Sequence, residues 1–350
     1  MNKILKLKEE GFVKDLFRKE VLPLYPDFKD IKGIKQIWHK KNIWEDTYHV
    51  VVEFRTAFFT HENKIKILPI FCSAHSDEPR KNVFEALKFL WKNDFGRGYL
   101  SIPHALFYSN YFQATFYRGA PGRNLYQYIR EKNLAEVEDI VPKAAAWFAK
   151  LHNLSILNAK NFNQENSRIE TVLPGIEHIL YRIKDEYPEY YDVYEEAYEL
   201  VDNSEKEFFS SIDKRWLVHG DAHPENVIKM SPRKIAVIDF TDLCLSDFTR
   251  DIGAFTQQLN FMIMRKIKDL KYADKIKKLF VGSYFNKSKE KLTKDVQKRI
   301  DNYYYWTAMR TATYFLIKDK PQPNRAHSVI CQVCRGLDIK TDYRGVCERY

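Results

Sequence analysis

Four polar residues within 216–254, WLVHGDAHPENVIKMSPRKIAVIDFTDLCLSDFTRDIGA, have types and spacing suited to chemistry: His219, Asp221, Asn226 and Asp239. A carboxylate such as Asp221 can accept a proton from a hydroxyl. The amide oxygen of Asn226, five residues on, and the carboxylate of Asp239 are hard oxygen donors of the kind Mg²⁺ takes when it bridges phosphates. Transfer of a phosphoryl group from ATP asks a protein chiefly for positioning and charge neutralisation, and the set meets both demands. His219, grouped with Asp221 as catalytic, is expected to orient the loop more than to react. Any one of these residues alone would be weak evidence. His-Gly-Asp, Asn five residues after that Asp, and Ile-Asp-Phe after a hairpin are strong together.

The elements that must position them can be read around them. Trp216–Val218 and Val227–Met230 have the texture of buried strands, residues 231–234 (SPRK) that of a turn, and Ile235–Ile238 that of a third apolar strand. Polar groups then fall only at strand ends, so a hairpin would bring the four residues to one rim. Upstream, the first thirty residues read as a helical preamble ended by Pro23 and Pro26. A strand at 34–39 is followed by a hairpin, HVVVEFRTAFF (49–59) and KIKILPIFCSA (64–74), turned at His61-Glu62-Asn63. KNVFEALKFLWK (81–92) has helical periodicity, and two short strands follow within 105–118. Beyond Gly119-Ala120-Pro121-Gly122 the pattern is mostly helical, with a helix at 138–153 and another beginning at Pro188. The expected fold class is α+β in two lobes: 1–118, a small antiparallel-sheet lobe with its preamble, and 119–350, a larger helical lobe carrying the catalytic loop and metal site.

HGDAHPENV, then VIDFTD, then DFTRDIGAF resemble the aminoglycoside phosphotransferase and choline-kinase-like superfamily, relatives of protein kinases with an H-x-D-x-x-x-x-N loop. The similarity spans about 105–260. It implies a two-lobed protein-kinase-like fold with ATP in the cleft, Asp221 as base, and Asn226 and Asp239 on Mg²⁺. It also implies Asp247 and Asp251 as loop braces, and the backbone of Tyr117, Arg118 and Gly119 as hydrogen-bonding partners for adenine. The first lobe departs from the pattern. HKKNIWEDTY, between the first two strands, has no glycine, so no Gly-rich phosphate loop is evident. Lys66 is the candidate for the strand lysine that pairs with the α- and β-phosphates, and Glu85 in the next helix for its partner. The plain alternatives are a surface lysine on an edge strand and a solvent-facing helix residue.

The net charge of +10 owes much to 265–299, where thirteen Lys/Arg face four acids. Ile267, Leu270, Ile276, Leu279 and Phe280 recur there at helical spacing, so the lysines read as the wet face of packed helices. No run of eighteen apolar residues occurs and the N-terminus is interrupted by charge, so no membrane partner and a cytoplasmic location are expected. Five scattered cysteines argue for free thiols in a reducing compartment. His327, Cys331, Cys334 and Cys347 have a partial zinc spacing, for which buried apolar cysteines on a terminal helix are the alternative. The function these features support is an ATP- and Mg²⁺-dependent phosphotransferase acting on a hydroxyl of a small polar molecule: a sugar, amino sugar, amino alcohol or aminoglycoside. The alternatives are a kinase acting on RNA or another anionic macromolecule, and a nucleotide-binding pseudokinase or scaffold.

Overall fold

The computed structural model describes residues 2–157, 159–340 and 347. It is an α+β protein of two compact units: residues up to Arg123 together with Ile228–Thr241, and Asn124–Val227 together with Asp242 onward. The second lobe expected at 119–350 is thus interrupted, because the hairpin that follows the 219–226 loop belongs to the first unit.

In that first unit a 3₁₀ turn at Lys3–Lys8 and α1 (Glu10–Glu20) form the preamble. Then come β1 (Phe28–Ile43), β2 (Tyr48–Thr60) and β3 (Ile65–His75). Next are α2 (Lys81–Leu90), β4 (Leu100–Ser101), β5 (His104–Ser109), β6 (Ala114–Arg118) and β7 (Arg123–Asn124). Five strands make one antiparallel sheet in the order β1-β2-β3-β6-β5. β1 runs far beyond the expected 34–39. It is the edge strand, and its many lysines obscure the alternation while protecting an edge from further pairing. One face of the sheet buries Val50, Phe54, Ile70 and Phe116 under Val13 and Phe17 of α1, with Phe17 set edge-on to Phe54 at 5.4 Å.

The second unit holds α3 (Leu125–Arg130), α4 (Leu134–His152), α5 (Ile176–Glu186), α6 (Tyr191–Ser211) and β8 (Trp216–Val218). The chain then passes through β9 (Val227–Ser231) and β10 (Lys234–Val237), where Ile235 pairs with Leu100 of β4, and returns in β11 (Cys244–Ser246). β11 pairs with β8, and α7 (Thr249–Lys266), α8 (Leu270–Phe285), α9 (Lys294–Ile317) and α10 (Pro323–Leu337) complete the unit. α6 buries Tyr194, Tyr198 and Val201 in one core with Tyr303, Trp306 and Met309 of α9. In α8 the buried face is Tyr272, Ala273, Ile276, Phe280 and Tyr284, while Leu270, expected on the apolar stripe, is exposed.

At the C-terminal end Cys331 is joined to Cys347 by a disulfide with Cα atoms 5.7 Å apart. That overturns the expectation of free thiols at these two positions. It also removes the zinc reading, because a sulfur committed to a disulfide is no thiolate ligand. His327 instead bonds Tyr190 Oη at 3.1 Å, and Cys334 is buried in the core.

Candidate active site

In the second unit the loop after β8 is held by one buried carboxylate. Asp251, at the start of α7, accepts the backbone N–H of His219 at 2.7 Å and of Gly220 at 3.0 Å. Its Oδ2 also lies 3.0 Å from His152 Nε2, and His152 Nδ1 is 2.8 Å from Tyr284 Oη. Burial alone would raise the Asp251 carboxyl, but the hydrogen bond and charge of His152 and the proximity of His219 hold it below its ordinary value. Gly220 is obligatory: it has φ of +82°, and a Cβ there would stand 2.1 Å from the carbonyl oxygen of Asp242.

This bracing sets Asp221. Asn226 Nδ2 donates to the Asp221 carbonyl at 3.0 Å and to its carboxylate at 3.3 Å, and His223 Nε2 lies 3.3 Å from the same carboxylate. Burial works to raise the carboxyl, and His223, His219 and Asn226 outweigh it, holding Asp221 well below the usual carboxylate range. About half of the side chain, 47%, remains open, enough for a hydroxyl to reach it. His219 has no such access. Its side chain is wholly buried, with Trp147 and Phe148 ring centroids at 6.2 Å, and its Nδ1 accepts the Asp221 N–H at 3.3 Å. Asp247, the other expected brace, accepts from Thr249 Oγ1 at 2.7 Å and from Arg299.

In the first unit a cavity of about 660 Å³ opens on the sheet, lined by Val51, Phe71, Tyr117, Ile228, Ile238 and Asp239 among others. Asp239 takes a left-handed backbone, φ of +63°, an uncommon conformation that Asp tolerates, and accepts from Thr241 Oγ1 at 2.9 Å. Tyr117 and Gly119 both line the cavity, and burial with the Asp239 charge pushes the Tyr117 phenol up. The Gly119 N–H, however, donates to the Pro69 carbonyl at 3.0 Å, so it is not a donor held in reserve for a base.

The strand lysine is displaced from its expected place. Ile67, Pro69, Phe71 and Ser73 of β3 line the cavity, so Lys66, alternating with them, stands on the opposite face of the sheet and is exposed. Glu85 lies on α2 between Val83 and Leu87, which do line the cavity, and is half-buried. Charge reaches the cavity from elsewhere: buried Glu53 of β2 accepts from Arg55 Nε at 2.6 Å and lies 3.0 Å from His39 Nε2. Burial raises its carboxyl less than Arg55 and His39 lower it. None of the three was singled out by sequence, because Glu53 and Arg55 read there as the polar alternates of a strand.

A histidine pair lies on the same sheet, with the rings of His49 and His75 4.4 Å apart and Arg80 Nη2 3.5 Å from His49 Nε2. Burial, aided by Lys40, His75 and Arg80 and opposed by Glu78, pushes His49 down to about 4. Its unfolded value is about 6.5, so between these limits the unfolded chain binds a proton that the folded chain refuses. Stability from this source is present above about pH 6.5 and declines toward pH 4. His49→Gln is expected to flatten the fall in Tm between pH 7 and pH 5, and an unaltered slope would refute the assignment.

Among the described residues, no group of three or more His, Cys, Asp or Glu is placed to hold a metal. Asn226 in the second unit and Asp239 in the first each carry a hard oxygen donor of the kind Mg²⁺ takes, an ion that keeps several waters and commonly takes only one or two protein oxygens beside those of phosphates.

Known proteins share the family and the fold of this chain. None of the curated proteins matches. Among solved structures, a choline kinase from Cryptosporidium parvum Iowa II has a TM-score of 0.57 at 12% identity, covering 96% of this chain and 97% of that one. An ethanolamine kinase from Plasmodium vivax has a TM-score of 0.53 at 11% identity, covering 86% and 81%. A spectinomycin phosphotransferase in complex with ADP and spectinomycin has a TM-score of 0.52 at 13% identity, covering 97% of both chains. Identities this low establish a shared protein-kinase-like fold. The family itself is shown by residues 49–267, well over half of the chain: the protein belongs to the phosphotransferase enzyme family.

Proposed function

We propose that the protein transfers the γ-phosphate of ATP to a hydroxyl of a small polar molecule, in the class that spans amino alcohols, sugars, amino sugars and aminoglycosides. The observation that carries this reading is Asp221, a carboxylate kept ionised by His223, His219 and Asn226 and left half-open on a loop braced by Asp251. Support for the substrate classes comes from the choline, ethanolamine and spectinomycin kinases that share the fold, and for the nucleotide from the ADP in one of them.

The acceptor hydroxyl oxygen forms its bond to the γ-phosphorus as the bond to the β-phosphate oxygen breaks. Its proton passes to a carboxylate oxygen of Asp221, and ADP leaves. Asn226 spends its amide nitrogen on Asp221, which turns its oxygen away from that carboxylate. That oxygen and the Asp239 carboxylate are the donors assigned to Mg²⁺, which when bound neutralises phosphate charge. Tyr117 and the apolar walls at Val51, Ile228 and Ile238 suit an adenine.

The nucleic-acid alternative drew on the basic stretch 265–299. In α8 its lysines Lys271, Lys275 and Lys278 are exposed while Ile276, Phe280 and Tyr284 face the core, so that charge is a solvated helix face. Among the described residues no helix is long and apolar enough to cross a membrane. The test is purified protein with Mg²⁺-ATP and a panel of hydroxyl compounds. ADP release that Asp239→Ala abolishes is the expected result. A chain without nucleotide affinity would sink the reading, and binding without turnover across the panel would leave a pseudokinase in its place.

A further inference from the structure

The cavity face of β3 carries no cation: its residues are Ile67, Pro69, Phe71 and Ser73. On β2 Arg55 lines the cavity but is paired with Glu53, and a further cation reaches the same face from β1. Lys40 of β1 lies directly opposite Val51 of β2, and Val51 lies opposite Ser73 of β3. Residues opposite each other in antiparallel strands share a face, and Val51 and Ser73 both line the cavity. A register irregularity between Trp38 and Lys40 makes the arrangement workable. With an extra residue in β1, His39 lines the cavity and Lys40 still falls in the Ser73 row.

A second cation lies near it. Arg80, just ahead of α2, is only 5% exposed. Its Nη1 lies 3.2 Å from Glu78, itself mostly exposed, and its Nη2 3.5 Å from His49. Its buried Nε has no hydrogen-bond partner. Buried guanidinium donors are ordinarily satisfied, and an unpaired one beside further cations suits an anion with several acceptor oxygens. Lys40 lies within electrostatic range of both Arg80 and Asp239: its ammonium is pushed down by burial and by Arg80, and up by Asp239 and Glu78.

We propose that the phosphates of the nucleotide are held from this unit by Lys40 and Arg80, which together take the part of a lysine on β3. The proposal rests on the nucleotide reading above and assigns it a specific clamp. It also accounts for the missing Gly-rich loop. In place of backbone N–H groups wrapped over the phosphates, two side-chain cations approach from an edge strand and a helix start.

Lys40 is exposed on an edge strand, so its replacement leaves the core intact. Calorimetric titration with ADP and with adenosine separates the phosphates from the base. Lys40→Met is expected to weaken ADP about 10–100-fold and to leave adenosine unchanged, as befits loss of a charge-assisted contact. Adding Ser73→Lys to Lys40→Met restores a cation in the same row and is expected to recover most of the affinity. Unchanged ADP binding in Lys40→Met, with the parent binding ADP normally, overturns the clamp alone. A parent chain that binds neither ligand overturns the nucleotide reading with it.

Discussion

Asp221→Asn is expected to lower phosphoryl transfer by about 10²–10⁴-fold while leaving nucleotide affinity and Tm close to those of the parent. The substitution keeps the shape of the side chain and an oxygen for Asn226 Nδ2, 3.3 Å away, but an amide cannot take up the acceptor proton. Stability should change little because half of the side chain already faces solvent. The pH profile gives an independent check. With the Asp221 carboxyl held well below the usual range, protonation of this base does not limit activity near pH 5, and any acid limb there belongs to another group. Steady-state rates with an accepted acceptor, read beside ATP titration, decide the matter. A loss of less than about tenfold would remove Asp221 from the role of base.

The candidate loop was legible as a unit because its residue types suit phosphoryl chemistry and its spacing is short-range: the Asn226 amide reaches Asp221 within a single turn of chain. The first-unit cation was not, for a reason visible in β3. KIKILPIFCSA is apolar on both faces, Leu68, Ile70 and Cys72 toward the core and Ile67, Pro69 and Phe71 toward the cavity. Alternation in sequence then cannot tell which lysine face meets the ligand. Lys40 was hidden more deeply, since its placement depends on an irregularity in β1 and on pairing through β2. The division of the chain missed a tertiary choice, the pairing of Ile235 with Leu100, which takes the hairpin of β9 and β10 into the first unit. Cysteine spacing likewise carried no distance, and with Cys331 bonded to Cys347 the argument from scattered thiols to a reducing compartment loses its basis.

The brace beneath the loop is where the second large effect is expected. His152 and Asp251 stand far apart in sequence, and neither spacing nor composition joins them, yet they meet at 3.0 Å with both side chains almost wholly buried. Asp251→Ala leaves His152 Nε2 and the N–H groups of His219 and Gly220 without their buried acceptor. Removing one partner of a buried pair costs about 3–5 kcal/mol, and filling the vacated volume with a methyl group recovers none of the three bonds. Urea denaturation should show a lower midpoint at unchanged slope. The sign with pH follows from the depressed carboxyl. The unfolded group titrates near 3.9, so the stabilisation by Asp251 is complete well above that value and is lost as pH falls through the folded one. The gap between parent and variant should therefore be widest near neutrality and close in acid. A gap below about 1 kcal/mol at pH 7 would mean that the loop amides find other acceptors, and that the turn presenting Asp221 is held by Gly220 and its close approach to Asp242 instead.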